Sequence, residues 1–224
     1  MVSCLLVASM LMAKPAEYKI LFIGNSLTAN NNVPAMVKSL LASAGNKVET
    51  SQQGAAHLDD AARNSAALNR IKNGGWTHVV LQGAMISTSH KYEYSQQPGI
   101  DLAKAVTSAG AKLVLFAEWP RRGIDESDYI YKHYQMIQKG AGAGVISPVC
   151  YAWDANAPLH QTTALWTADG NHATPIGSFI AACALAYTIG GPDSKFAYVP
   201  PGLSQDVAKG VMEKARSAVK AHVG

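Results

Sequence analysis

The chain has 224 residues, of which 48% are apolar and 15% charged, with a formal net charge of +4. That composition suits one compact domain with a sizeable core and excludes a disordered polar chain. Basic residues are scattered and the tight doublet Arg121-Arg122 reads as a solvated loop, so no nucleic-acid partner is expected.

Residues 1–16, MVSCLLVASMLMAKPA, hold an apolar run from Cys4 to Ala13 followed by polar sequence. The run resembles the apolar region of a secretory signal peptide and is too short for stable membrane insertion. A leader over residues 1–16 and a single domain over 17–224 are therefore expected, in a secreted or periplasmic protein. An N-terminal tail packed on the domain is the other reading.

From residue 17 the chain alternates. Short apolar runs fall at Lys19–Ile23, Lys47–Thr50, Thr77–Leu81, Lys112–Ala117 and Gly144–Val149. Helical periodicity falls at Val33–Ser43, Asp59–Lys72, Gly99–Ser108, Ser127–Lys139, Pro175–Ile189 and Ser204–His222. Ala44-Gly45, Asn73-Gly74-Gly75 and Ala109-Gly110 place glycine where helices must stop, and Thr174-Pro175 is a helix start. Strand–helix alternation with strands apolar on both sides predicts a three-layer α/β/α sandwich, a flavodoxin-like parallel sheet of about five strands.

Ligands of open parallel sheets bind beyond the carboxyl ends of the strands. Ser26 follows the first apolar run in YKILFIGNSLT, at the turn into the next helix. A serine there can act as nucleophile or, more simply, as a helix cap. Asp169 and His172 stand three residues apart in DGNHATPIGS. That spacing lets the carboxylate fix one imidazole nitrogen and frees the other to take a serine proton, although a capping histidine with a turn aspartate looks the same in isolation. Cys4, Cys150 and Cys183 lack metal spacing, and Cys150 and Cys183 read as buried thiols or a disulfide. The seven histidines show neither H-x-H nor HExxH spacing, so no metal is expected. His57 reads as a loop or substrate-contact residue without a carboxylate at the right spacing, and His78 as structural. Trp119 and Trp153, at the ends of the fourth and fifth strands, could form a stacking wall for a sugar or acyl chain or simply pack at the rim of the core.

Together FIGNS and DGNHATPIGSFIAACALAY resemble the first and last blocks of the SGNH (GDSL-type) hydrolases. The resemblance implies a catalytic triad of Ser26, His172 and Asp169, and a substrate contact at Asn25. It implies an oxyanion hole built from Ser26, Gly54 in SQQGAAHL and a third-block asparagine. That asparagine is missing. The third strand ends HVVLQGAMIS, and Gln82, which carries the same amide one methylene further out, is the expected substitute. The implied activity is cofactor-free ester hydrolysis, with short acyl groups such as acetyl on a carbohydrate as the first substrate class. Lipid acyl esters or thioesters come second, and a catalytically weak carbohydrate-binding protein is the non-enzymatic reading.

Overall fold

The computed structural model describes residues 15–161 and 164–223. Strand β1 (Glu17–Gly24) sends Ile20 and Phe22 to one side and Leu21 and Ile23 to the other, and all four are fully buried. A strand apolar on both faces must be covered twice. The short helix α1 (Ser26–Ala29) follows it, then a 3₁₀ turn (Asn30–Asn32) and α2 (Val33–Ser43). Next come β2 (Lys47–Gly54), α3 (Leu58–Arg63), α4 (Ser65–Asn73), β3 (His78–Leu81), α5 (Gln97–Ser108), β4 (Lys112–Phe116) and α6 (Ser127–Ala141). The chain finishes with β5 (Val145–Ser147), α7 (Val149–Asn156), α8 (Pro175–Gly190) and α9 (Gln205–His222).

The strands form one parallel sheet in the order β2-β1-β3-β4-β5. On one face Ile20, Phe22, Val80, Val114 and Phe116 pack under α2, α7, α8 and α9. On the other Leu21, Ile23, Val79, Leu81, Leu113 and Leu115 pack under α3 to α6. This is the expected α/β/α sandwich with flavodoxin-like strand order. Its chain reverses direction of winding at β1, so a crevice opens between the exits of β1 and β3.

Every expected strand and helix is present, with three local differences. The helix expected over Asp59–Lys72 is broken at Asn64, whose extended backbone and side-chain oxygen cap α4 through Ala66 N and Ala67 N. The stretch CYAWDANA, which is not among the expected helices, forms α7 and carries Trp153 into the core. Cys150 and Cys183 are free, fully buried thiols, so no disulfide joins them. Cys4 and the expected leader, save its last two residues, lie outside the described residues. Among the described residues no helix is long and apolar enough to cross a membrane.

Helix α8 is buried continuously from Ile176 to Tyr187. Its tightest point is Gly177, where an added Cβ would lie 2.5 Å from the Trp153 ring and closer still to the Leu165 carbonyl. Gly177→Ala should therefore lower stability by about 1–3 kcal/mol through overpacking, outweighing the roughly 1 kcal/mol that alanine gains over glycine in a helix. Urea denaturation should show a lower midpoint with an unchanged m-value.

Candidate active site

Gly24 ends β1, and the chain turns at once. A Cβ at residue 24 would sit 2.5 Å from Thr28 Oγ1 and 2.6 Å from Gln82 Oε1, so only glycine fits. Asn25 caps α1 by accepting Leu27 N at 3.0 Å, which leaves Ser26 exposed as the first helical residue. Its N–H belongs to the first turn of a helix, where amides have no intrahelical partner.

From the other end of the chain, the loop between α7 and α8 brings in the remaining two groups. His172 Nε2 lies 2.8 Å from Ser26 Oγ, and His172 Nδ1 lies 2.5 Å from Asp169 Oδ2. Asp169 Oδ1 accepts the N–H groups of Asn171 (2.9 Å) and His172 (3.0 Å) and the hydroxyl of Thr167 (2.7 Å). The bond to His172, reinforced by these donors, holds the Asp169 carboxyl well below the usual carboxylate range. An ionised Asp169 fixes the proton on Nδ1 and leaves Nε2 to accept from serine. The fold thus brings Ser26, His172 and Asp169 into one hydrogen-bonded line.

The loop is held by residues for which the sequence suggested no such role. Trp166 bridges Ala173, Thr167 N donates to His172 O (2.8 Å), and Thr174 N donates to Leu165 O (3.0 Å). Trp119 Nε1 donates to Asn171 O (2.8 Å) and Trp166 Nε1 to Pro120 O (2.9 Å). Arg122 donates to Ala168 O from its side chain (3.0 Å) and to Gly170 O from its backbone (2.8 Å). Asn31, next to α1, donates to Ala173 O (3.0 Å) and to Ser178 Oγ (2.9 Å). The Arg121-Arg122 doublet is therefore engaged rather than merely solvated: Arg121 pairs with the buried Glu126 at 2.7 Å.

An open cleft of about 200 Å³ is lined by the chain neighbours of Ser26 and His172 rather than by Ser26, His172 or Asp169 themselves. Asn25 and Leu27 line it from the nucleophile side, Asn171 from the loop, and Gly83, Ala84, Trp119, Arg121 and His57 from the remaining walls. Asn25 has limited freedom there, because one amide hydrogen goes to Ala56 O at 3.0 Å and its oxygen caps α1. Trp119 reaches the cleft but is only 3% exposed, with its ring stacked on Trp153 at 4.9 Å. Trp153 is fully buried, pinned between Trp119 and Trp166, and cannot form a substrate wall. His57 has a carboxylate nearby after all: Asp60 Oδ2 is 3.8 Å from its Nδ1 and accepts its backbone N–H at 3.1 Å. That pair starts α3. His78 is structural as expected, with burial lowering its pKa to about 4. Among the described residues no acidic, histidine or cysteine cluster could hold a metal.

Two expected oxyanion donors are placed differently. Gln82 is 1% exposed and lies beneath the nucleophile turn, its Oε1 accepting Asn25 N (2.9 Å) and Thr28 Oγ1 (3.0 Å). Its side chain is turned inward because the turn's own amide needs an acceptor. Gly54 pairs with Gly24 in register, and Ala55 N donates to Gly24 O at 3.0 Å. Alternation along the ladder then directs the Gly54 N–H across the open edge of β2, away from β1.

Glu118, which also lines the cleft, is buried and accepts the hydroxyl of Tyr134. Burial drives its pKa from 4.5 up to about 7, against the opposing pull of Tyr134, a backbone amide and Gln82.

Comparison with known proteins bears on the fold. No protein-family model matches the chain, and no curated protein matches its sequence. Solved structures do match. A protein assigned to the SGNH hydrolases from Slackia heliotrinireducens is 27% identical, with a TM-score of 0.59, over 78% of this chain and 100% of that one. A DUF4886 family protein from Bacteroides uniformis is 15% identical with a TM-score of 0.68, covering 91% of this chain and 95% of its own. A two-domain esterase active on acetylated mannans is 10% identical with a TM-score of 0.53, over 85% of this chain and 54% of its own. The chain has the SGNH (GDSL-type) hydrolase fold, a fold of ester hydrolases.

The buried carboxyl gives a pH signature. Because Glu118 has a higher pKa folded than unfolded, the folded chain holds the extra proton between about pH 4.5 and 7. Its contribution to stability is complete below that window and is lost as pH rises through about 7. The difference in unfolding free energy between pH 5 and pH 8, measured in urea, should therefore shrink in Glu118→Gln. An unchanged difference would contradict the burial of a titrating carboxyl here.

Proposed function

We propose that the protein is a serine esterase, and the observation that carries this reading is the continuous relay Ser26 Oγ–His172 Nε2 (2.8 Å) and His172 Nδ1–Asp169 Oδ2 (2.5 Å) at the carboxyl end of β1. Ser26 attacks the ester carbonyl while His172 Nε2 takes its proton. The oxyanion forms against the Ser26 N–H in the first turn of α1, where amides have no intrahelical partner. His172 then returns the proton to the departing alcohol, and water, activated by the same imidazole, releases the acyl group from Ser26. With Gln82 turned inward, the hole lacks a side-chain donor at that position, and loss of one such donor costs roughly 10²–10³ in kcat elsewhere. A modest turnover number is expected for that reason.

The substrate class we propose is a short acyl ester, acetyl first, on a carbohydrate. A small cleft that mixes Asn25, Arg121 and Asn171 with Leu27 and Trp119 suits a compact acyl group on a polyhydroxylated alcohol. The mannan-active esterase of the same fold is consistent with it. Action outside the cytoplasm is proposed from the apolar run Cys4–Ala13.

Hydrolysis of p-nitrophenyl acetate should exceed that of longer acyl esters. Ser26→Ala should lower kcat by about 10⁴–10⁶ with the fold intact, and a phosphonate ester should label Ser26 alone by intact mass and peptide mapping. Labelling elsewhere, or full activity in the alanine variant, would overturn the nucleophile. Expression with export should yield a mature N-terminus near Lys14 or Glu17, read by mass spectrometry; a retained Met1 on exported protein would remove the leader.

A further inference from the structure

Beneath the triad lies a polar cluster that the hydrolytic steps do not use. Gln82, Glu118 and Tyr134 are 1%, 9% and 0% exposed, among apolar residues of β3, β4 and α6. Tyr134 is the hub. Its hydroxyl accepts Gly83 N (3.0 Å) and Ala84 N (3.2 Å) from the exit of β3, and its own proton goes to Glu118. Gln82 is bound on one side only: Oε1 holds Asn25 N and Thr28 Oγ1, while the buried Nε2 has no hydrogen-bond partner among the described residues. A buried donor left unsatisfied is costly, and Glu118 is the buried acceptor whose carboxyl feels the Gln82 amide. Exchanging the Gln82 oxygen and nitrogen offers no escape, because the Asn25 amide can only donate and needs the acceptor where it is.

We propose that Glu118, fixed by Tyr134, is a positioning residue for the nucleophile: it takes the free Nε2–H of Gln82 and so locks Gln82 Oε1 under the Gly24-Asn25-Ser26 turn. This rests on the reading of Ser26 as the nucleophile. The line of support runs from α6 through Tyr134, Glu118 and Gln82 to the Asn25 N–H, one residue before Ser26. Glu126 and the Cys150 thiol are the other titratable groups within electrostatic reach of Glu118. Neither bonds to Gln82 among the described residues.

The exchange of the two side chains tests it. Glu118→Gln sets one amide N–H against another, and Gln82→Glu sets one carboxylate against another. In the double variant Gln82→Glu/Glu118→Gln every donor again meets an acceptor. The carboxylate introduced at position 82 would hold Asn25 N and Thr28 and accept the amide introduced at position 118, whose oxygen takes Tyr134. At pH 8 each single variant should lose about ten- to a hundredfold in kcat on p-nitrophenyl acetate with KM within about twofold, the scale of one hydrogen bond to a charged group. The double variant should recover most of that loss. Hydrogen exchange of the Asn25 amide, which needs no turnover, should accelerate in Glu118→Gln and return toward wild type in the exchanged pair. Wild-type kcat and Asn25 exchange in Glu118→Gln, or losses that simply multiply in the double variant, would overturn the proposal. If Glu118→Gln does not fold, a folded, active double variant supports the proposal and an unfolded one overturns it. A wild-type protein inactive on every ester would instead defeat the esterase reading, and the Asn25 exchange pattern would then decide this proposal alone.

Discussion

Ser26 and His172 are separated by 146 positions in sequence yet meet at 2.8 Å. No helix or strand holds the histidine; it sits in the loop before α8. Fixing a loop against its conformational entropy costs on the order of 1–2 kcal/mol per residue, so something else must restrain it. The restraint is a ring of main-chain acceptors in the loop itself: Asn171 O takes Trp119, Ala168 O and Gly170 O take Arg122, and Ala173 O takes Asn31. Asn31 is the most direct of these, because it belongs to the turn that follows α1 and ties the nucleophile's segment to the histidine's. The hydrogen-bonded line of Ser26, His172 and Asp169 is therefore a product of loop docking as much as of the sheet.

The sheet was legible because its signals are local. Apolar runs of strand length between helical periods, with glycine stops, follow from the need to bury both faces of each strand. The meeting of Ser26, His172 and Asp169 was legible for a related reason: a strand-end serine and a D-x-x-H before a helix cap each occupy a position that the topology constrains. What escaped was decided by tertiary contact. CYAWDANA forms α7 with neither a clear amphipathic stripe nor a conventional cap, since Val149, Cys150, Ala152, Trp153 and Asn156 are buried around it. An aromatic residue after a strand looks like pocket lining in sequence, and only packing shows that Trp153 belongs to the core while Trp119 touches the cleft. Asn31 could have been found only by asking why three asparagines follow α1; two of them, Asn31 and Asn32, adopt left-handed backbone, which asparagine tolerates better than most residues.

Gln82 shows a different limit. It follows the third strand as expected, but its side chain faces the Asn25 N–H rather than serving as the expected oxyanion donor. A one-methylene extension of asparagine gains reach, and here that reach is directed beneath the turn. The same residue type at the same strand end can thus serve either as a catalytic donor or as a scaffold for the nucleophile, and the choice lies in whether the turn's backbone has another acceptor.

The stacked pair Trp119–Trp153, with Trp166 tilted against Trp153 at 5.1 Å, joins the main core to the loop that carries Asp169 and His172. Two of these indoles bond across to it or from it, and Gly177 at the start of α8 leaves room for the third. The loop consequently has little capacity to open as a separate unit: displacing it unstacks indoles that also close the sandwich. Loss of the Ser26–His172–Asp169 relay and loss of the native core therefore belong to one cooperative event, with the temperature dependence of global melting rather than that of a fraying surface segment.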